Sequence, residues 1–264
     1  MLFSFVIGLL AGSFGGLVGL GGGVVMIALM VRWFKFTQHQ AHGTSLMALV
    51  FTGLAGASAY YWHGAVDIPA AVCLAATAMV MARFGALQAH ALPEWKLKRA
   101  FGVFLICVSL LLLSKPYLAH LQVLSHPAAR WVQILALLAS GAVAGFLGGM
   151  MGVGGGSIMV PAMVLVVGLS QYMAQGTSLL AMVPTGIVGS YTHWRLGNVV
   201  TRILPGLILG IIVGSFLGGS LANYLSEAAL RLVFAAVLVW MGLRDIRRAL
   251  DMKKIALAQS PVRA

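Results

Sequence analysis

Two clusters of residues carry whatever chemistry this chain offers, and each cluster occurs twice. Residues 19–23 read GLGGG and residues 43–46 read GTSL; residues 152–156 read GVGGG and residues 176–179 read GTSL again, each pair displaced by 133 positions. A glycine run inside an apolar segment permits the positive-φ turns that reverse a helix, and it removes side chains so that a solute can reach backbone N–H groups. The half-helix after the first run is expected to begin near Val24, and after the second near Ser157. Such an N-terminus carries about half a positive charge and several unpaired N–H donors, which suits an anion. The candidate contacts are therefore Gly21, Gly22, Gly23 and Val24 in one copy, and Gly154, Gly155, Gly156 and Ser157 in the other.

The second cluster adds side-chain donors at what reads as a helix start. His42, Thr44 and Ser45 correspond to Gln175, Thr177 and Ser178, with Gln38 matching Gln171 just upstream. Hydroxyls there either cap the helix or hydrogen-bond a bound oxyanion, and both readings stand. Thr52 and Thr185 are expected to bond back to their own helix. Gly8/Gly12 and Gly141/Gly145 have the GxxxG spacing of close helix packing.

Other chemistries lack their residues. The five acids, Asp67, Glu94, Glu227, Asp245 and Asp251, map to loops or helix ends. No carboxylate is left mid-membrane for a cation ligand or proton relay, so any coupling to protons falls to His42, His63 or His193. Cys73 and Cys107 lie in apolar runs without CxxC spacing and read as inert buried thiols. No Ser–His–Asp set, HExxH or acidic pair occurs, and the glycine runs lack the GK[ST] of a phosphate loop. The reading is of a non-enzyme without metal or cofactor.

The elements that must position these clusters are membrane helices. Of 264 residues 61% are apolar and 8% charged, against about 25% charged in an average domain; mean hydropathy is +0.99. Long apolar runs place the chain among all-α polytopic membrane proteins rather than β-barrels. The first half reads as Leu2–Val31 broken at Gly19–Gly23, then Thr44–Trp62, Val66–Ala89 and Leu97–Leu118. The second reads as Trp131–Val167 broken at Gly152–Gly156, then Thr177–Trp194, Ile203–Asn223 and Ala229–Leu243. Across Ala11–Gly64 roughly two positions in five are identical to their partners, which marks an internal repeat.

Charge decides the topology. If each broken segment turns and exits on the side it entered, Lys and Arg divide as 14 on one face and 3 on the other; if each crosses, they divide 7 against 10. The positive-inside rule selects the first arrangement. The expected fold is two inverted repeats, each with a V-shaped re-entrant helix broken at glycine plus three transmembrane helices. Residues 1–119 form the first repeat, 120–130 a linker, 131–249 the second repeat and 250–264 a basic cytoplasmic tail. The net charge of +12 then belongs to the cytoplasmic loops rather than to nucleic-acid binding. Arg83, the deepest base in a span, snorkels to that interface or lines a solute exit, while Arg195 reads as an interfacial anchor.

The doubled GxGGG turn followed by GTSL resembles the sulfite exporter TauE/SafE family of membrane permeases, along nearly the whole chain. That resemblance implies transport of a small sulfur-containing anion across the bacterial inner membrane, with sulfite, a sulfonate or an organosulfur carboxylate as the class. It also implies a solute held between the halves by the glycine runs with Thr44, Ser45, Thr177 and Ser178. His42 against Gln175 breaks the symmetry of that site. An anion channel of the same architecture and a non-transporting module that binds a partner protein are the alternative functions. Oligomeric state is not set by the sequence.

Overall fold

The computed structural model describes residues 1–88, 94–118 and 130–259. Most of the expected linker (120–129) and the last residues of the tail (260–264) lie outside the described residues. The described chain is all helix: α1 (Leu2–Val18), α2 (Gly23–Trp33), α3 (Gln38–Trp62), α4 (Ile68–Gln88), α5 (Glu94–Leu118), α6 (Arg130–Met151), α7 (Gly156–Ala162), α8 (Gln171–Arg195), α9 (Leu204–Ala222) and α10 (Glu227–Gln259). A π-helical turn, Met163–Val167, continues α7, and a 3₁₀ turn, Thr201–Ile203, precedes α9. Displaced by 133 residues, α3 coincides with α8 at both ends. The other helices of the first half fall on elements of the second.

Among the described residues, four stretches are long and apolar enough to cross a membrane: α3, α4, α6, and α9 with its 3₁₀ turn. Three points differ from the sequence reading. Helix α6, read as one arm of a re-entrant pair, is 22 residues long and itself qualifies as a span. Helix α8, read as a span, falls outside those four because Gln171, Gln175 and its hydroxyl residues dilute its hydropathy. Helix α10, whose Ala229–Leu243 was read as a span, falls outside them too, because charged residues (Glu227 and Arg231, Arg244 and Asp245) crowd both ends of its apolar run.

Helix ends explain further differences. The Thr44–Trp62 segment was expected to start at the GTSL motif, but α3 begins at Gln38. Thr37 and Gln40 form a capping box in which the Thr37 hydroxyl accepts from the Gln40 N–H at 3.2 Å and the Gln40 amide oxygen accepts from the Thr37 N–H at 3.1 Å. In the second copy the Ser170 hydroxyl accepts from the Met173 N–H at 3.3 Å. Helix α10 runs past Leu243 to Gln259, because residues 244–259 are mostly good helix formers. Asp245 therefore lies inside a helix and is buried, not at a helix end; its carboxylate pairs with Arg244 at 2.9 Å. Cys107 is exposed and Cys73 half-buried, so neither is the fully buried thiol expected; both are free.

Two compact units divide the chain. The first comprises residues 1–89 and 126–230. Inside it α1 lies parallel to α9: Cβ atoms placed on Gly8, Gly12 and Gly16 would strike the backbone of Leu207, Ile211 and Ser215 in the same order. Gly141, Gly145 and Gly149 of α6 meet Leu74, Ala78 and Ala82 of α4 in the same way. GxxxG packing is thus the role of these glycines, because no side chain fits where backbones touch. Helices α3 and α8 run antiparallel, with Gly53 against Leu179 and Val183, and Gly186 against Leu46 and Val50. Ile7, Ala11, Met26, Met30, Ala48 and Ile211 form one apolar core of this unit.

The second unit comprises residues 90–125 and 231–264. There α5 packs antiparallel to α10. A Cβ on Gly102 would stand 2.7 Å from the Gly242 carbonyl, one on Gly242 would stand 2.6 Å from the Gly102 carbonyl, and the Ser109 hydroxyl donates to Ala235 O at 2.9 Å.

Candidate functional site

Glycine ends α1 where the sequence reading places the break. Gly19 sits at φ 74° and its N–H bonds Gly15 O at 2.9 Å, a left-handed C-cap. Gly21 (φ 79°) and Gly22 (φ 71°) continue the turn, and α2 starts at Gly23. The second break uses Gly152 (φ 65°) and Gly154 (φ 85°), but Gly155 has φ −90°. The two breaks therefore differ at one backbone position despite matching in sequence.

The breaks meet in the first unit. A Cβ on Gly23 would stand 2.6 Å from Gly152 O and 2.9 Å from Val153 O, and one on Gly156 would stand 3.0 Å from Leu20 Cα. Gly21 and Gly154 share a floor of Leu49 and Met182, which are themselves counterparts in the two repeats. Gly22 and Gly155 face elsewhere: Gly22 abuts Ala11 O of α1, and Gly155 packs on Ala144 of α6. Of the eight break residues considered above, the structure brings Gly21, Gly23, Gly154 and Gly156 together and turns these two back on their own preceding helices.

The GTSL hydroxyls act across the repeat. Ser45 donates to Gly152 O at 2.8 Å, with His42 O equally near, and Ser178 donates to Gly19 O at 2.9 Å, with Gln175 O at 2.8 Å. Thr44 Oγ1 accepts from the Val200 N–H at 3.0 Å, and Thr177 Oγ1 accepts from the Asp67 N–H at 2.8 Å. Each bond in one copy has its partner in the other under the same displacement. None of the four caps its own helix; the caps are Thr37 and Ser170, which the sequence reading missed. The T-x-x-Q pattern at residues 37–40 was the signal available for the first. Thr52 and Thr185 bond back to Ala48 O and Ala181 O, as expected.

What surrounds the breaks is buried and partly unpaired. Among the described residues, the N–H groups of Gly21–Val24 and Gly154–Ser157 meet no protein acceptor. The Ser157 hydroxyl, on a residue 2% exposed, has no partner either. Gln175 is fully buried: its oxygen accepts from the Tyr60 hydroxyl at 2.7 Å, while its Nε2 is unpaired. His42, at the counterpart of Gln175, is buried with its backbone against Gly152. His193, at the counterpart of Tyr60, lies with Nε2 2.9 Å from Gly149 O in the last turn of α6. His63 sits at the exposed end of α3. Val24 is buried in the first turn of α2. Among the described residues no cluster of His, Cys, Asp or Glu has metal-binding geometry.

Residues 4–245 match the family model described as Sulfite exporter TauE/SafE. A probable membrane transporter protein of Bacillus subtilis (strain 168), YunE, is 30% identical over 256 residues, covering 90% of this chain and 94% of its own length. YdhB of the same organism, also a probable membrane transporter protein, is 25% identical over 233 residues, with 88% and 92% covered. A probable membrane transporter protein of Xylella fastidiosa (strain Temecula1) is 29% identical over 241 residues, with 89% and 90% covered. No solved structure gives a significant match.

Proposed function

The chain belongs to the sulfite exporter TauE/SafE family of membrane transporters, and on that premise we propose that it is a permease for a small sulfur-containing anion. The observation that carries this reading is the meeting of two glycine breaks whose N–H donors face no protein acceptor, beside the unpaired Ser157 hydroxyl and Gln175 Nε2. Donors of this kind hold an oxyanion without placing a Lys or Arg in the membrane. Sulfite, a sulfonate or an organosulfur carboxylate carries the charge and the acceptor oxygens that such donors bind. In this reading Gly21, Gly23, Gly154 and Gly156 present backbone donors, with Val24 and Ser157 in the first helical turns. Gly22 and Gly155 set the reversals. Ser45, Ser178, Thr44 and Thr177 hold the two breaks and their loops in register. His42 and Gln175 make the two sides of the site unequal.

Two further features support an inverted repeat with re-entrant breaks. Helices α3 and α8 are counterparts yet run antiparallel, so the exchange that relates the halves reverses chain direction. At 1.5 Å per residue, α2 with 11 residues, and α7 taken together with its π-helical turn (Gly156–Val167), each reach across about half of a 30 Å hydrocarbon core. In this reading the breaks lie near mid-depth with their exits on the side of entry. The charge division then puts the C-terminus in the cytoplasm, with the protein in the bacterial inner membrane. Alternating access would follow from rearrangement of the halves about the breaks. An inside-negative potential favours anion efflux by about 2.3 kcal/mol per charge per 100 mV.

Flux into proteoliposomes tests the proposal, using sulfite, thiosulfate, sulfoacetate and simple carboxylates under imposed pH and voltage gradients. Saturable counterflow of one sulfur anion is the expected result. Flux without counterflow identifies a channel, and no flux or binding across the panel points to a partner-binding module.

A further inference from the structure

A groove of about 490 Å³ in the first unit is lined by Arg83 and Leu87 at the end of α4 and by Ile187, Tyr191, Thr192 and Arg195 at the end of α8, among others. Both arginines are exposed, and no carboxylate lines the groove. The Arg195 guanidinium lies 5.9 Å from the centre of the Tyr191 ring, and the Thr192 hydroxyl donates to Val188 O at 2.9 Å. The counterpart location, between the end of α3 and α9, is built differently. Under the 133-residue displacement Arg195 corresponds to Trp62 and Arg83 to Phe216. Those two rings meet edge to face with centroids 5.3 Å apart and planes at 83°. One location is thus closed by an attractive aromatic pair, whereas the other is lined by two cations that repel each other. No carboxylate of the groove supplies a countercharge, so an anion from outside the protein would be attracted there.

The walls say what kind of anion. Leu87, Ile187 and Tyr191 are exposed apolar or amphipathic side chains flanking the arginines, so the ligand presents a charge and an apolar tail together. Arg83 lies five residues before the end of α4, a helix of spanning length, from where its long side chain snorkels to the headgroups. Basic pockets between helices on the cytoplasmic side are where anionic headgroups bind. We infer that this groove holds an anionic phospholipid, with its phosphate between Arg83 and Arg195 and an acyl chain running inward along Ile187. Assignment to the cytoplasmic leaflet rests on the orientation proposed above; the binding does not.

The test is native mass spectrometry of the purified full chain in neutral detergent, titrated with phosphatidylglycerol and with phosphatidylcholine as the neutral comparator. Wild-type protein is expected to retain phosphatidylglycerol preferentially. The Arg83→Gln/Arg195→Gln variant should weaken that binding about 25-fold, at about fivefold per cation. Arg83→Phe/Arg195→Trp, which copies the aromatic pair of the counterpart location, should fold and lose the preference as well. Equal retention of the two lipids by wild type, or an unchanged preference in both double variants, overturns the inference. So does competition by inorganic phosphate as effective as by lipid, which would mark a free-oxyanion site. In phosphatidylcholine vesicles the glutamine variant should transport within about twofold of wild type. A raised KM there would assign the groove to the solute path and overturn the lipid assignment. Absence of any transport by wild type would defeat the permease proposal while leaving the lipid titration to decide this one.

Discussion

Alanine at Gly23 tests whether the two glycine breaks must touch. Its Cβ would stand 2.6 Å from Gly152 O. Carbon and carbonyl oxygen come to rest near 3.3 Å, so the breaks have to part by about 0.7 Å. The obstruction is backbone, and the same oxygen accepts from the Ser45 hydroxyl at 2.8 Å, so it cannot swing aside without losing that bond. Losing it costs about 1 kcal/mol, against which alanine in a helix returns roughly 0.5–1 kcal/mol relative to glycine. Gly23 does not have positive φ, so no backbone strain is added. Parting the backbones adds an overpacking cost, so stability should fall by roughly 1–3 kcal/mol. Transport should fall at least about tenfold, because displacement of positioned groups by close to an ångström costs up to about a hundredfold. The measurement is the initial rate of anion uptake into proteoliposomes, taken beside size-exclusion profile and thermal melting of the same preparation. Gly156→Ala, whose Cβ would press still closer on Gly19 O, should lose at least as much. A folded Gly23→Ala protein that transports at the wild-type rate would refute the reasoning. Gly22 is the poorer probe, since its φ of 71° and its contact with Ala11 O make any side chain a folding defect.

Counterpart positions should not always respond alike. Gly148→Ala should be neutral or stabilising by up to about 1 kcal/mol, because its Cβ would meet nothing closer than 3.4 Å. Gly15→Ala should lower the melting temperature clearly, because its Cβ would stand 2.5 Å from the Gly22 nitrogen; equal behaviour of the two would contradict the backbone difference between the breaks. Ser45→Ala and Ser178→Ala should each destabilise by about 1 kcal/mol, measured by thermal melting, with a larger proportional loss of transport. Thr44→Val and Thr177→Val keep shape but unpair the Val200 and Asp67 N–H groups; about 1–2 kcal/mol should be lost in each. Wild-type melting of both valine variants would show that these loops hold without the clamps.

The glycine breaks were legible because a run of three glycines within an apolar segment has few other uses, and the repeat made each copy a check on the other. The helix starts were misplaced by six residues, since Gln38–Gly43 is polar enough to pass for loop when hydropathy alone is weighed. The capping box corrects that from purely local information. The roles of Thr44, Ser45, Thr177 and Ser178 could not be read from the chain, because each bond joins residues more than 100 positions apart. A hydroxyl beside a helix start looks the same whether it caps, clamps or binds. The unequal Gly22 and Gly155 are likewise identical in sequence and differ only through what each break packs against.

The glycine-lined contact of α1 with α9 also bears on how the protein is made. Gly8 and Leu207 are 199 residues apart, and at about 5–20 residues per second the ribosome takes roughly 10–40 s to deliver the second after the first. For that interval the flat glycine face of α1 meant for α9 has no partner. Helix α6 faces no such delay, because its partner α4 has already been synthesised when it emerges. Two near-identical interfaces are therefore completed in opposite temporal order: α1 waits for its partner, whereas α6 finds its own already made.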